Sequence, residues 1–493
     1  MILRGRRKIL TQYTSTDILE SPIKLVDLLN TAFGTHNMNK IEIDYLINYR
    51  NGEQPILLKT KEIRPEINNT SVFNHAQMIT RNIIGYFLGT PIQYIQSGAT
   101  DKKDQIDLLN QYVSYEDKAS IDKEIGEYQS ICGTAYRIIY TDGMFADEVP
   151  FEDKALNPSQ TFIVYENTIA EKPVVGVTYF DILDEDGSLN KRRIYVYTDR
   201  GYYVIDTDRS ETVSIDDTMN FYGYSFGGVP VIEYPNNMWR IGDWELVIDL
   251  MDSINSLQNG RLDDIDQSVQ ALIAFINADI DETGYKEMRE AGVVSLINKS
   301  GLATDIKTFS TPLDHTGMNM FAEELEALLY AMIGIPDRNN RSGGGGDTGQ
   351  AVELRDGWAD LEVVARNKEL AFKRAEKQTL RIILNILNIT NKTDLSLLDV
   401  DIKFSRNKNN NLQVKTQSYQ TLLATKTLSP ADCLTIVDLV SDVNEYIDRG
   451  KTFWGASFAG LEQANIAVDT SKVALETAKN PPEPTKPTQG GND

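Results

Sequence analysis

The sequence contains few residues of the kinds that hold metals or form disulfides. Its only two cysteines, Cys132 and Cys433, lie far apart and outside any CxxC spacing, which excludes a disulfide framework or a zinc cluster. The three histidines, His36, His75 and His315, have no HExxH or other ligand spacing, so neither a metal site nor a histidine-based triad is supported.

Long apolar runs and an excess of positive charge are also absent. No run of about eighteen apolar residues occurs, so we expect no transmembrane helix and no membrane partner. The basic residues near Met1 are followed by polar ones such as Gln12 and Thr14 rather than by the apolar stretch of a secretion signal. Lysine and arginine total 49 against 72 acidic residues, a net charge of −23, the opposite of the basic surface that grips nucleic acid. This charge fits solubility or a surface that DNA slides past, and alone it does not decide between them.

The first half of the chain has two periodicities. Up to about residue 128, apolar residues recur at helical steps, as at Ile79, Ile83 and Tyr86. Between 131 and 235 the pattern alternates and is broken by turn pairs such as Asp186-Gly187, which predicts successive β-hairpins. With 493 residues the chain exceeds a single core, and the fold class expected is α+β.

The second half is dominated by long helices. One opens at Gly242-Asp243, with Asp243 as the predicted N-cap and Leu246, Leu250 and Ile254 along one face. A second is predicted from about 316 to 333, with Phe321, Leu325, Leu328 and Met332 on one face. Two short β-like runs between them, 272–276 and 293–297, predict a small insertion domain. We predict a third helix from about 351 to 387, further helices towards the end, one of them after Ser429-Pro430, and a disordered Pro-rich tail.

A glycine-rich segment between the second and third helices is the best candidate for chemistry. Residues 344–349 supply the two glycines of a phosphate-binding loop, but Gln350 stands where that motif needs a lysine, and Asp347 would repel a phosphate. A helix rather than a strand precedes it. A nucleotide-binding ATPase is therefore the weaker alternative, and we expect no enzyme activity, no catalytic residue, no metal and no cofactor.

Three blocks of residues carry a resemblance to a known family. They are Ile67-Asn-Asn69 with Gly85-Tyr-Phe-Leu-Gly-Thr-Pro-Ile-Gln-Tyr94; Cys132-Gly-Thr-Ala-Tyr136 leading to Phe162-Ile-Val-Tyr165; and Gly228-Val-Pro-Val-Ile-Glu-Tyr-Pro-Asn-Asn237, then Gly242-Asp-Trp-Glu245 and the stretch 249–255. With the order helix, insertion, helix, glycine-rich loop and long helix, the sequence resembles the portal proteins (head-to-tail connectors) of tailed bacteriophages, of the type in long-tailed phages of Gram-positive bacteria.

The resemblance implies a portal fold with helical stem and crown, a mixed α/β wing and a small α/β clip, assembled as a ring of about twelve subunits around a DNA channel. It implies this division of the chain: N-terminal arm 1–39, wing 40–238, stem helices 239–265 and 316–335, clip 266–315, tunnel loop 336–350, long wing helix and end of wing 351–399, crown helices 400–478, disordered tail 479–493.

The resemblance also implies site residues and partners. The tunnel loop facing the DNA would comprise Arg338, Asn339, Asn340, Arg341, Ser342, Gly343, Gly344, Gly345, Gly346 and Asp347. The stem would use Trp244, Leu246, Leu250, Ile254, Phe321, Leu325 and Met332. Expected partners are further copies of the chain, double-stranded DNA, the terminase large subunit, a head completion or adaptor protein, and the scaffolding and major capsid proteins. The expected location is the portal vertex of the virion, after assembly in the bacterial cytoplasm. A structural adaptor of the tail or baseplate, without a DNA channel, is the alternative.

Overall fold

The computed structural model describes residues 5–97, 102–141, 148–208, 212–269, 272–276, 278–279, 297–298, 305–309, 315–336, 358–406, 412–425, 427–437, 439–440, 446–447 and 449–450. The chain divides into two compact units, residues 1–408 and 409–493. Helices and sheets both occur in the first unit, which confirms the α+β class.

The start of the chain is helical, as its periodicity predicted. The helices are α1 (Ser15–Glu20), α2 (Pro22–Asn51), α3 (His75–Phe87), α4 (Lys103–Tyr115) and α5 (Lys118–Cys132), with a 3-10 turn at Pro55–Leu58. A reciprocal cap starts α1, because the Thr14 hydroxyl accepts from the Asp17 amide and the Asp17 carboxylate accepts from the Thr14 amide. Gly52, at φ 105°, ends α2 in the left-handed conformation that favours glycine. Because α2 is continuous, it crosses the expected boundary at residue 39.

A six-stranded sheet follows the predicted hairpins. Its strands are β1 (Ile9–Thr11), β5 (Thr161–Glu166), β6 (Pro173–Leu183), β7 (Leu189–Tyr197), β8 (Gly201–Asp208) and β9 (Thr218–Gly223), in the order β1-β5-β6-β7-β8-β9. From β5 to β9 each strand pairs antiparallel with the next. The parallel strand β1, with Ile9 opposite Val164, is an addition that local periodicity did not indicate.

Two smaller sheets join distant parts of the chain. They use β2 (Gln93–Gln96), β3 (Thr134–Tyr140), β4 (Glu152–Leu156), β10 (Val231–Pro235) and β15 (Val400–Lys403). Strand β3 lies between β10 and β4, and β15 pairs antiparallel with β2. Residues 400–403, at the start of a range for which helices were predicted, are therefore a strand of the first unit.

The second half contains the long helices that the sequence predicted. They are α6 (Ile248–Val269), α7 (His315–Ile333) and α8 (Trp358–Ile389). Between α6 and α7, β11 (Leu272–Ile276) pairs with β14 (Asp305–Phe309), and β12 (Ala278–Asp279) with β13 (Ile297–Asn298). The first predicted run, 272–276, is therefore a strand, whereas residues 293–296 of the second run lie outside the described residues. The second unit contains α9 (Leu412–Ala424) and α10 (Pro430–Val437), the latter capped by Ser429 as predicted. The tail 479–493 lies outside the described residues.

The predicted start of α6 is wrong. Asp243 is not its N-cap, because a 3-10 turn at Glu245–Val247 precedes the helix. The Asp243 carboxylate instead pairs with Lys368 of α8 at 2.9 Å and accepts from Asn236 at 2.8 Å. A tertiary partner with a full charge has displaced the local capping interaction.

A buried cluster of charges joins α5, β3, β4 and α8. The Arg137 guanidinium, fully buried, donates to Asp153 at 2.8 Å, to Asp122 at 3.0 Å and to Glu376 at 3.1 Å. Lys118 pairs with Glu376 at 2.9 Å. Burial alone would raise the pKa of Glu376, but Lys118 and Arg137 outweigh it and hold that pKa at about 2. Three carboxylates thus share two cations, and each depends on the others remaining in place.

Replacing Arg137 with methionine should destabilise the chain by about 3–5 kcal/mol, because it strands three buried carboxylates with a single lysine. Urea unfolding measures the loss. Arg193→Met is the matched control: Arg193 forms a two-point pair with Asp206 at 2.8 and 3.0 Å, but 43 % of its side chain is exposed, so about 1 kcal/mol or less is expected. Equal losses for the two variants would contradict a special role for the buried cluster.

His36 of α2 is a buried neutral side chain beneath the six-stranded sheet. Its Nε2 donates to the Ser159 carbonyl at 3.2 Å and lies 3.3 Å from the Tyr179 hydroxyl, and its ring lies 4.6 Å from that of Phe162. Burial, with smaller contributions from Lys40 and Arg192, lowers the pKa of His36 to about 4.

His36 should make stability fall on acidification. Its folded pKa lies below its unfolded value of 6.5, so between pH 6.5 and 4 the unfolded state binds more protons and stability rises with pH. We expect a loss of roughly 3 kcal/mol from His36 as the pH drops through this window. Unfolding free energies of wild type and His36→Gln at pH 7, 5.5 and 4 measure it. Parallel pH dependences in the two proteins would contradict the assignment.

Candidate functional site

Helices α6 and α7 lie side by side and form the candidate site. Arg261, towards the end of α6, hydrogen-bonds Asn319, near the start of α7, so the two helices run antiparallel. With 22 and 19 residues they are about 33 and 28 Å long. Together they make a wall two helices wide that brackets the β insertion.

The start of this wall is anchored in the main core. Trp244 is fully buried, donates from Nε1 to the Thr80 hydroxyl at 3.0 Å and stacks on Tyr49 with ring centroids 5.6 Å apart. Ile254 is fully buried and Leu250 packs against the same core. Leu246 does not belong to that face and is 76 % exposed, because it lies in the 3-10 turn, where the helical register used for the prediction does not apply.

Beyond Ile254 the buried face of α6 is polar and is held by a ladder of hydrogen bonds. The Asn255 side chain accepts from the Phe73 amide at 2.8 Å. Asn259 accepts from the Ser71 amide and donates to the Ser71 carbonyl, both at 2.7 Å. Asp263 accepts from the Asn69 amide at 2.7 Å. These three buried side chains replace the partners that the backbone of residues 69–73 would otherwise find in water.

The spacing of this ladder follows from the geometry of the two segments. Four residues of helix rise about 6 Å, and two residues of extended chain rise about 6.6 Å. The α6 residues are four apart, and the residues they bind, Asn69, Ser71 and Phe73, are two apart. The match explains why an asparagine block at 67–69 and a helix with Asn255 occur together in one sequence, a relation that neither block reveals alone.

Asp263 closes the ladder with a charge. It pairs with Lys59 at 2.7 Å and with Lys61 at 2.6 Å. Burial alone would raise the pKa of Asp263, but hydrogen bonds from Lys59, Lys61 and Asn69 lower it well below the usual range. The carboxylate is therefore ionised, and it fixes the 59–61 segment on the side of α6.

The basic residues near the N-terminus secure the junction ahead of α6. Arg6 is buried and reaches Glu245 at 2.6 Å, Glu42 at 3.2 Å and the Cys132 carbonyl at 3.2 Å. Gly5 has φ +79° and lies so close to the Trp239 carbonyl that an added Cβ would sit 2.2 Å from it, which is why glycine is required there. The sequence offered no signal for this role, since Arg6 and Glu245 are 239 residues apart.

Helix α7 has two apolar sides. Ala322, Leu329 and Ile333 are buried, and Leu325 packs against the same core. Phe321, Leu328 and Met332, predicted on one face with Leu325, are 50 %, 49 % and 60 % exposed. The four residues share one side of the helix, as their spacing requires, but α7 packs on the main core through the neighbouring side that carries Ala322, Leu329 and Ile333.

The proposed tunnel-loop residues, 338–347, lie outside the described residues. In the part of the chain that is described, no cluster of histidine, cysteine, aspartate and glutamate side chains is arranged to hold a metal ion. Within that same part, no helix is long and apolar enough to cross a membrane.

Comparison with known proteins places the chain in a family. The model of the family described as "Phage portal protein, SPP1 Gp6-like" matches residues 30–452. The chain belongs to this family of phage portal proteins, a structural component of the virion, and the resemblance seen in the three sequence blocks is confirmed.

Individual relatives are distant. The chain is 21 % identical over 290 residues to a portal protein of Clostridium phage phiCD119 (strain Clostridium difficile/United States/Govind/2006); the match covers 54 % of this chain and 61 % of that relative, which is less than two thirds of its length. Two solved structures are similar at 14 % identity. One, the neck of a native GTA particle computed with C12 symmetry, has a TM-score of 0.40 over 74 % of this chain and 89 % of that one. The other, the neck of an empty GTA particle computed with C6 symmetry, has a TM-score of 0.42 over 81 % and 94 %.

Substituting Asn259 with leucine tests the ladder. The Ser71 amide and carbonyl would lose their partners inside the protein, at a cost of about 2–5 kcal/mol for two buried unpaired groups. We expect lower stability in urea and faster amide hydrogen exchange at residues 69–73. Ser256→Ala, an exposed position on the same helix, is the control and should change neither. Unchanged exchange in Asn259→Leu would show that the ladder is not what holds this segment.

Proposed function

We propose that the chain is the subunit of a ring of about twelve copies at one vertex of a phage head, through which double-stranded DNA enters during packaging and leaves during ejection. The family match over residues 30–452 carries this proposal. The antiparallel pair α6 and α7, fixed to the rest of the first unit by the ladder and by Trp244, would form the channel wall. In this assignment the pair is the stem, the β insertion is the clip and the glycine-rich segment is the tunnel loop.

The charge of the pair supports a channel that does not retain DNA. Besides the buried Asp263, which pairs with Lys59 and Lys61, α6 carries four aspartates and one arginine, and α7 carries three glutamates and no lysine or arginine. An acidic wall offers the DNA phosphates few cationic side chains. Contacts with such side chains release counterions from DNA and give tight binding. DNA would therefore move past it without being arrested, and the force for movement would come from a separate motor.

The proposed partners rest on the resemblance to portal proteins. The terminase large subunit, and after packaging a head completion or adaptor protein, would dock at the clip. Scaffolding and major capsid proteins would meet the wing during assembly in the bacterial cytoplasm. The protein itself would have no enzymatic activity.

Electron microscopy of the purified protein tests the ring. Class averages with a central hole and about twelve subunits support the proposal. A monomer, a trimer or a solid hexamer would favour a tail or baseplate adaptor. Deleting residues 342–349 should leave the rings intact but impair packaging or retention of DNA, and normal packaging by such rings would refute the tunnel-loop assignment.

The acidic wall gives a charge-reversal prediction. Glu323→Lys on the exposed surface of α7 changes the charge by two per subunit and should slow DNA passage, because lysine binds passing phosphates. We expect normal heads containing less nuclease-protected DNA. Glu185→Lys makes the same change in the exposed β6–β7 turn and should package as wild type. If both variants package equal amounts of DNA, the assignment of α7 to the channel wall is contradicted.

A further inference from the structure

The outer side of α7 is apolar, and none of the residues that the structure describes covers it. Phe321, Leu328 and Met332 are about half exposed or more, and their spacing of seven and four places them on one side of the helix. We call these three residues the outer stripe. They lie next to the buried Ala322, Leu329 and Ile333, so the apolar arc of α7 is wider than its contact with the chain.

An apolar arc of this width is typical of a helix covered on more than one side. Three large apolar side chains in a row on one exposed helix face form a contiguous patch, and such patches on soluble proteins mark contact surfaces. The outer stripe therefore indicates a contact surface for a partner with a complementary surface.

The exposed face of the neighbouring helix α6 offers such a surface. A concavity of about 580 Å³ lies over it, lined by Lys59, Lys61, Ser253, Ser256, Leu257, Gly260, Asp263, Asp264 and Met318. At Gly260 an added Cβ would meet no atom of the described residues within 4 Å, so those residues leave the space above the helix open. We call this hollow the α6 concavity.

Charge also fits the two surfaces to each other. Exposed Glu324 lies between Phe321 and Leu328 along α7, and α7 carries no lysine or arginine. The α6 concavity brings two lysines, which share the buried Asp263, and Asp264 is the other acidic residue of its lining. In a chain with a net charge of −23, a neutral hollow with two ammonium groups is a favourable place for a glutamate-bearing helix.

We propose that the outer stripe of one copy docks in the α6 concavity of the next copy. The inference rests on the proposed ring and names its contact. Because the two complementary surfaces lie on different helices of one chain, each copy uses one of them towards each neighbour. Such a head-to-tail contact repeats by rotation and closes into a ring, whereas a self-complementary contact stops at a dimer.

The level of each contact follows from symmetry. If both helices run along the ring axis, rotation about that axis does not change the position of a residue along it. Two residues at the same position along the axis in one chain are therefore also at the same position in neighbouring copies. Asn319 is level with Arg261, and both helices rise about 1.5 Å per residue in opposite directions. Phe321 should therefore lie level with Asn259, next to Gly260 of the next copy, and Leu328 level with Asp252, next to Ser253.

Filling the concavity is the first test. Gly260→Leu meets open space within its own chain and replaces glycine inside a helix, so folding should be retained. The added side chain occupies the hollow. We expect the ratio of rings to monomers, measured by light scattering, to fall at least tenfold. Gly34→Leu is the matched control, since Gly34 also lies in a helix with nothing within 4 Å of an added Cβ; its rings should persist. Intact Gly260→Leu rings would overturn the proposal.

Disulfide trapping is the second test. The native cysteines Cys132 and Cys433 are both buried, so introduced thiols dominate oxidation. Ser253→Cys combined with Leu328→Cys should give a ladder of linked chains on a non-reducing gel, whereas either single variant should give none. The mismatched pair Ser253→Cys with Phe321→Cys should give none either, because the two residues are about 10 Å apart along the helix axis.

The outcomes separate this contact from the ring itself. Dimers from a single-cysteine variant would mean a self-complementary contact and overturn the proposal. Wild-type rings without a ladder from the matched pair would overturn the contact and leave the proposed function standing. Absence of rings in the wild-type protein would refute the proposed function instead.

Discussion

The helical wall depends on one constraint: a polar helix face can be buried only if each of its groups finds a hydrogen-bond partner. Asn255, Asn259 and Asp263 meet this condition by binding the extended segment 69–73. The cost of burying amides and a carboxylate is offset by contacts that only one register allows, since a shift of one residue on either segment breaks the three contacts together. The ladder therefore fixes α6 lengthwise more sharply than apolar packing would.

Charge is used in two ways in the molecule. Inside, Arg137, Lys118 and their carboxylates form a cluster that ties α8 to the small sheet, and Arg6 secures the chain ahead of α6. Such pairs specify position because an unpaired buried charge is costly. Outside, Asp249, Asp266, Glu323 and Glu324 are exposed on α6 and α7, and in the proposed channel they would face passing DNA. The same residue types are thus buried in ion pairs in one place and exposed on the proposed channel wall in the other.

The division between apolar and exposed faces on α7 explains why sequence reasoning was partly wrong there. Periodicity identified a helix and its apolar residues, but Phe321 and Leu325 differ in burial although both fit an apolar face. The choice of side depends on where α6 and the main core lie. Leu246 was misassigned for a related reason, since a 3-10 turn changed its direction.

The sequence by itself determined the α+β class, the hairpins from β5 to β9, the long helices and the membership of the portal family, because these follow from local periodicity and from blocks of neighbouring residues. Tertiary structure alone decided the strands β1 and β15, the partners of Arg6 and Arg137, the ladder on α6 and the exposed side of α7. Each of these joins residues from about 15 to more than 300 positions apart. A pairing at such distance leaves no periodic trace in the chain, because its geometry is set only when both segments have been packed.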